Sequence, residues 1–496
     1  MPFSYGMNAT AQAVFDSEIP TTMVRSIRMR SEMIQDSRIK PLNQKPERPG
    51  KYILYWMQQS QRAEFNHALE FALQQANQRD LPLLVCFGLM DDYPEANVRQ
   101  YRFMLEGLRE TAQSLQKRWI KFVLSHGHPR EIATRLADKA AIVVCDCGYL
   151  RHQKKWRQQL AASVACHVVQ VESDVVVPVE EASDKQEFAA RTIRPKIQTR
   201  LKDYLVELTP TRPRKAFDFA LDGLELSDLD GVMHRLKLDQ SVPAVSHFFK
   251  GGSSEARKKL HRLLLHAFDQ YAFCRNQPQT DHVSHLSMHL HFGQISPIEV
   301  ALAVKNSEGN AESKKSFLEE LIVRRELAQN FTEFANNYDT FEVLPRWAKQ
   351  TLAEHRTDNR PILYTREELE AANTHDSDWN AAMLEMKYTG YMHNAMRMYW
   401  GKKILEWTRT PEEAFQTTLE LNNRYFLDGR DPNAYANVAW VFGLHDRPWG
   451  ERPIFGKVRY MNAAGLERKC DIKAYVQKVA KLVTEAKENG IRFVND

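Results

Sequence analysis

Cysteine is scarce: six thiols, at 86, 145, 147, 166, 274 and 470, are scattered over 496 residues. A chain of this length buries a core without disulfide staples, so they read as reduced thiols. The close pair Cys145-x-Cys147 has no second pair at zinc spacing and sits at the end of an apolar strand-like run, which points to buried packing rather than a metal. Long uncharged apolar runs are missing as well, and the mean hydropathy of -0.52 argues against a membrane span. The opening MPFSYGMNATAQAVFDSEIP has no basic region ahead of an apolar core, so no secretory signal is expected. The sequence reads as a soluble intracellular protein, cytoplasmic in a prokaryote and nuclear or organellar in a eukaryote. Finally, no G-x-G-x-x-G follows the first strand-like run and no G-x-x-x-x-G-K-[ST] occurs anywhere. That excludes a standard dinucleotide or P-loop site.

Against these absences stands an ordinary globular composition, 43% apolar and 26% charged, with a net charge of +5 too mild to announce nucleic-acid binding. At this length two domains and a terminal extension are expected. Residues 1–45 carry little periodicity and are expected to form an extension of no assigned role. From 46 to 207, short β-branched runs such as KYILYWM, LPLLVCFGL and AAIVVCDCG alternate with amphipathic stretches, the pattern of a Rossmann-like α/β domain with a parallel sheet. Residues 208–254, rich in proline, glycine and acidic turns, are expected to connect it to an all-α domain over 255–496.

Six of the nine tryptophans lie in the last 150 residues. Trp400 and Trp407 are seven apart, so they project from nearly one helical face, and Arg397 lies three before Trp400. Met383, Met386, Met392, Met396 and Met398 fill the same stretch, and a Met and Trp stripe by itself means core. The arginine breaks that reading, because an unpaired buried charge costs several kcal/mol. It needs a carboxylate, and LDGRDPN offers Asp428 and Asp431; that turn lacks the acidic spacing of a calcium loop. FLEELIVRRELAQNF places Glu320 on one α-helical face with Val323 and Arg324, taken alone a surface ion-pair helix. Ser284, Ser287, His289 and His291 precede a glycine turn, and two histidines without cysteine or carboxylate company are weak metal ligands. No metal site is expected. Between Arg447 and Lys469, Arg447, Arg452, Lys457, Arg459, Arg468 and Lys469 outnumber Glu451 and Glu467 and interleave with Trp449, Phe455 and Tyr460, the composition of a nucleic-acid edge.

These pieces fall together in L-S-x-x-L-H-F-G-Q-I-S, F-L-E-E-L-x-V-R-R-E-L, M-H-x-x-M-R-M-Y-W-x-K-K-I-L-E-W, L-D-G-R-D-P-N and H-D-R-P-W-x-E-R-P-I-F-G-K-V-R-Y-M. In order, and with N-terminal runs such as GYLRHQKKWR, they resemble the class II cyclobutane pyrimidine dimer photolyases from about residue 45 to 485. The resemblance implies a Rossmann-like antenna domain, a helical domain holding bent FAD, and light-driven repair of pyrimidine dimers in DNA by electron transfer from reduced FAD to a flipped-out dimer. It assigns Tyr271, Ser284, His285, Leu286 and Ser287 to the phosphate and ribityl region of FAD, and Arg397 with Asp428 to the isoalloxazine. Asn422 matches the asparagine facing the reactive flavin nitrogen, and Glu320 the glutamate that binds the dimer. Trp400, Trp379 and Trp407 resemble the chain that photoreduces oxidised flavin. Trp440 and Met398 are expected to touch the dimer, and Arg275, Arg447, Trp449 and Arg459 to hold the strand.

Three departures stand out. Val323 and Arg324 stand where related photolyases often place a second aromatic, WVFGLHD is one residue shorter than the usual loop, and Asn394 replaces a small residue and carries no assigned role. The antenna chromophore, a deazaflavin, a folate or none, is left open. A monomer without protein or membrane partners is expected. The rival reading is a cryptochrome-like light receptor without repair activity, against which stand Glu320, Trp440, the 447–459 edge and the absence of a long C-terminal tail. A third, a flavin-free nucleotide-binding enzyme, would be colourless.

Overall fold

The computed structural model describes residues 34–493. Six strands form one sheet in the order β1-β6-β5-β2-β3-β4, where β1 is Ile39–Pro41, β2 Tyr52–Trp56, β3 Leu83–Leu89, β4 Lys121–His126, β5 Ala140–Asp146 and β6 His167–Val171. Every residue of β2, β3 and β5 is buried, because the crossover helices cover both faces. The pairing is parallel from β4 to β6, with Trp56 opposite both Cys86 and Cys145, and only β1 runs antiparallel, Ile39 against Val171. β1 lies inside the stretch expected to be an extension. It is anchored by the buried Arg38, which donates to the carbonyls of Glu172, Val175 and Val176. Residues 1–33 fall outside the described residues.

The chain winds outward from β2 to β4 and returns to β5, so the switch point of the sheet lies between β2 and β5, where an open α/β sheet takes its ligand. Here the protein fills that position itself. Asp146, at the end of β5, accepts hydrogen bonds at one oxygen from the backbone N–H groups of Gln58, Gln59 and Ser60, at 2.8, 2.8 and 2.9 Å, and at the other from the Tyr55 hydroxyl. The amides that would cradle a phosphate are taken by a carboxylate, which is the structural counterpart of the missing glycine fingerprint.

The segment expected as a connector packs Leu226, Leu229, Val232, Leu236 and Leu238 into the α/β core and includes the short helix Leu229–His234. From Ser253 the described elements are helical, and their largest core gathers Trp379, Met383, Met386, Met396, Trp400 and Trp407. Buried charged and polar side chains pin the two units together. Arg99 donates to the carbonyls of Pro243, Met386, Lys387 and Tyr425. Arg325 pairs with Asp174 at 2.8 Å, and Glu326 accepts from the amide of Val176 at 2.6 Å.

Candidate cofactor and substrate clefts

Helix Ser377–Thr389 ends on Gly390 in the left-handed conformation (φ 75°), and helix Asn394–Trp407 starts four residues later, capped by the ring nitrogen of His393. The turn aims Arg397 at Asp428, 3.0 Å away, and the same guanidinium donates to the Met392 carbonyl and lies 3.9 Å over the Phe426 ring. Of the two carboxylates in LDGRDPN, Asp428 is therefore the partner. Asp431 instead meets His291 at 3.3 Å and caps helix Pro432–Val441 through the Asn433 amide at 2.7 Å. The second oxygen of Asp428 is buried without a partner.

An open cleft of about 1160 Å³ lies in front of this pair. Tyr271, Arg275, Ser284, His285, Leu286, Ser287, Glu320, Arg397 and Asp428 all line it, so nine predicted site residues far apart in sequence share one wall. His285 sits at φ 51° and donates from Nε2 to the Asp281 carboxylate at 2.8 Å, with its other ring nitrogen buried and unpartnered. Burial pushes its pKa below the ordinary value despite the Asp281 carboxylate, so the ring is neutral at pH 7.

Of the face that α-helical spacing gave to Glu320, Val323 and Arg324, only Val323 departs. Residues Glu319–Arg324 form a π-helical turn between helices Ala311–Leu318 and Arg325–Phe334, and the wider turn sends Val323 into the core while Glu320 and Arg324 still line one cavity. Val323 is buried, Arg324 points into an adjoining cavity, and Glu319 is claimed by Arg194 at 2.7 Å. Glu320 is left to face Arg275 at 2.8 Å. It lines both the cleft and the adjoining cavity, about 970 Å³, which also holds Arg324, Trp440 and His445. His445 ties the short 440–446 loop to the α/β domain through the Phe188 carbonyl, 2.8 Å away.

A third, smaller cavity of about 410 Å³ is lined by Arg397, Met398, Trp400, Asn422, Phe426 and Trp440. Asn422 stands here rather than in the main cleft, its amide donating to Asn423 at 3.0 Å. Behind Trp400, the Trp379 indole donates to the Trp400 carbonyl at 2.9 Å, and the Trp379 and Trp407 rings meet at 5.5 Å. The ring path continues to Tyr364 at 5.4 Å and to the exposed His375 at 5.3 Å from Trp407, an extension that sequence spacing did not reveal.

At the mouth, Arg459 lies 4.5 Å over Trp449 and 5.9 Å over Trp440, and Arg447 lies 5.2 Å from the Trp449 ring. Asp446 organises the group, accepting from the Trp449 indole and pairing with Arg459, both at 3.2 Å. The result is a cationic, aromatic ledge beside the cavity. Arg275 is not on this ledge but at the cleft wall. A separate, mostly apolar cavity of about 730 Å³ lies at the domain boundary near the sheet switch point, among Gln59, Leu89, Tyr101, Trp156, Phe292 and Arg430. Among the described residues no cluster of metal-ligating side chains occurs, His289 being buried on Gln294, and no helix is long and apolar enough to cross a membrane.

An α/β sheet domain joined to a helical domain with such a cleft is the architecture of the photolyase and cryptochrome proteins. A bacterial class III photolyase from Agrobacterium tumefaciens superposes with a TM-score of 0.66 at 18% identity, covering 88% of each chain. An archaeal photolyase from Sulfolobus tokodaii, solved with two FAD molecules, gives 0.64 at 15% identity over 87% of this chain and 92% of that one. The family model described as DNA photolyase matches residues 53–215. At the level of sequence, a deoxyribodipyrimidine photo-lyase from Methanothermobacter thermautotrophicus is 46% identical over 458 residues, 91% of this chain and all of the relative. One from Potorous tridactylus is 41% identical over 86% of this chain and 81% of its own length. The chain belongs to the deoxyribodipyrimidine photo-lyase family.

Proposed function

We propose that this protein is a class II photolyase that repairs cyclobutane pyrimidine dimers in DNA under blue light, with FAD in the large cleft and the dimer in the adjoining cavity. The observation that carries the reading is Glu320, an acidic side chain lining both spaces at once and, among the described residues, held by Arg275 alone. The cleft fits FAD. It offers the unpartnered Asp428 oxygen and His285 nitrogen, the Ser284 and Ser287 hydroxyls and the Arg397 cation, over apolar Leu286, Leu290 and Phe317. When bound, FAD supplies light absorption and the electron that splits the dimer.

The residues do the rest by position and charge. Arg397 and Asp428 hold the cofactor's polar ring edge, with Asn422 behind them. Glu320, released from Arg275 and in its protonated form, donates to a pyrimidine carbonyl and stabilises the negative charge that develops there. Trp440 and Met398 support the extruded bases, while Arg447, Trp449 and Arg459 take the strand, cations on phosphates and the indole in the space the bases leave. Trp400, Trp379 and Trp407 restore reduced cofactor from the solvent side. The apolar cavity at the domain boundary is suited to an antenna chromophore, a deazaflavin or a folate. The protein acts as a monomer.

The test is an absorption spectrum of purified protein followed by blue illumination with an oligonucleotide containing one dimer. A flavin spectrum and loss of the dimer only in light are expected; a colourless protein, or a yellow one that leaves the dimer intact, would overturn the reading, the latter in favour of a light receptor. Glu320→Ala should lower the repair quantum yield severalfold with the flavin spectrum unchanged.

A further inference from the structure

Three hydrogen bonds decide which end of the Asn422 carboxamide is presented to the small cavity that it lines. On helix Pro411–Tyr425 its Nδ2 donates to Oδ1 of the neighbouring Asn423 at 3.0 Å. That oxygen is fixed in turn, because it also accepts the backbone N–H of Arg430 at 3.0 Å, and a backbone N–H can only donate. The nitrogen end of Asn423, a fully buried side chain, donates to Oε2 of Glu95 at 2.6 Å. Glu95 belongs to the α/β domain, on the loop before helix Val98–Lys117, and is otherwise exposed. Beside it Asn97 and Gln100 donate to the Arg424 carbonyl at 2.8 and 3.2 Å, so this loop grips the end of helix Pro411–Tyr425. A Cβ on Gly429 would stand 2.8 Å from the backbone carbonyl oxygen of Asn422, so a glycine is needed for the Arg430 turn to come this close.

From the domain boundary inward the order of donors and acceptors is forced. A carboxylate only accepts, so it takes the nitrogen end of Asn423; the oxygen end then faces Asn422, which answers with its own nitrogen. The carbonyl oxygen of the Asn422 side chain is thereby turned from Asn423 and left for the small cavity, which shares Arg397 with the cofactor cleft. An acceptor there matches a flavin ring nitrogen that carries a proton, as in the reduced cofactor, and opposes the bare lone pair of the oxidised one. We infer that Glu95 is a positioning residue: through Asn423 it sets the Asn422 amide so that the cleft favours reduced over oxidised flavin. The inference rests on the repair reading above and adds to it a part for the α/β domain in tuning the cofactor.

The test is the two-electron midpoint potential of bound flavin, titrated in the dark for wild type, Glu95→Ala and the double variant Glu95→Gln with Asn423→Asp. Glu95→Ala strands the buried Asn423 nitrogen and frees the amides to turn. It should lose about tenfold of the preference for reduced flavin, the scale of one hydrogen bond, which lowers the potential by about 30 mV. Loss of the Glu95 charge by itself would raise the potential, because a nearby negative charge opposes reduction, so the sign separates the amide from the charge. The double variant reverses the bond, the new amide donating to the new carboxylate. It keeps the net charge and an acceptor toward Asn422, and should recover the wild-type potential. An unmoved or raised potential in Glu95→Ala overturns the inference, as does a double variant whose potential stays low. So does a further drop when Glu95→Ala is added to Asn422→Ala, since the effect would then bypass the amide. Should Glu95→Ala fail to fold, the double variant still decides: a wild-type potential upholds the inference and a lowered one overturns it. Wild type that binds no flavin brings down the repair reading and this inference with it, whereas flavin-bound variants at the wild-type potential bring down the inference alone.

Discussion

Arg397 posed a question that the sequence could state but not answer. Its place in a Met and Trp stripe demanded a carboxylate, and two stood in one turn; packing gave Asp428 to the arginine and Asp431 to a histidine and a helix cap. The tryptophans behave similarly. Trp379, Trp400 and Trp407 are buried at 0%, 3% and 3%, with Trp379 bonded to one partner and ring-packed on the other. If the three relay electrons to the cofactor, Trp400→Phe should reduce photoreduction of oxidised flavin to a small fraction of wild type while chemically reduced enzyme still repairs. Transient absorption under blue light checks this, and undiminished photoreduction would reject the route.

At the scale of elements, the π-helical turn Glu319–Arg324 shows why α-helical periodicity misplaced Val323, which is buried while Glu320 and Arg324 line a cavity. A π turn inserts one residue, so every side chain after it rotates away from where α spacing puts it. The next helix begins with Arg325 and Glu326, both buried against the α/β domain. Burial raises the Glu326 pKa to about 8, above its ordinary 4.5, against the pull of the Val176 amide and Arg325. A carboxyl raised in the folded state keeps a proton that the unfolded chain has lost. Its contribution to stability is therefore full below about pH 4.5 and declines as pH rises to about 8. Glu326→Gln retains an acceptor for the Val176 amide and cannot ionise, so it should flatten this decline and gain on the order of a few kcal/mol over wild type at pH 8. Denaturant midpoints at pH 5 and pH 8 would show it; equal pH dependence in both proteins would place the titration elsewhere.

The whole molecule depends on how its two units lock. Arg99, 1% exposed on the helix Val98–Lys117, reaches three carbonyls of the helical unit and one of the connecting segment, and burial lowers its pKa to about 9, still charged at neutral pH. Arg99→Leu would strand those carbonyls in a dry interface and should cost about 3–5 kcal/mol, the scale of breaking a buried charged contact. Calorimetry should show one unfolding transition in wild type and a lower, split transition in the variant; an unshifted single transition would mean that the hydrophobic cores alone lock the units.

Most of the lining of one cleft was implied by the family resemblance; residue type and local spacing by themselves determined the alternation of buried strands and amphipathic helices, the helical second half and the absence of a phosphate loop. Those features depend on neighbours in sequence, and their periods survive without any knowledge of packing. Tertiary structure decided what depends on partners distant in the chain: the antiparallel β1 at the sheet edge, Asp146 taking the place of a phosphate, the choice of Asp428 over Asp431 and the π turn that aims Glu320.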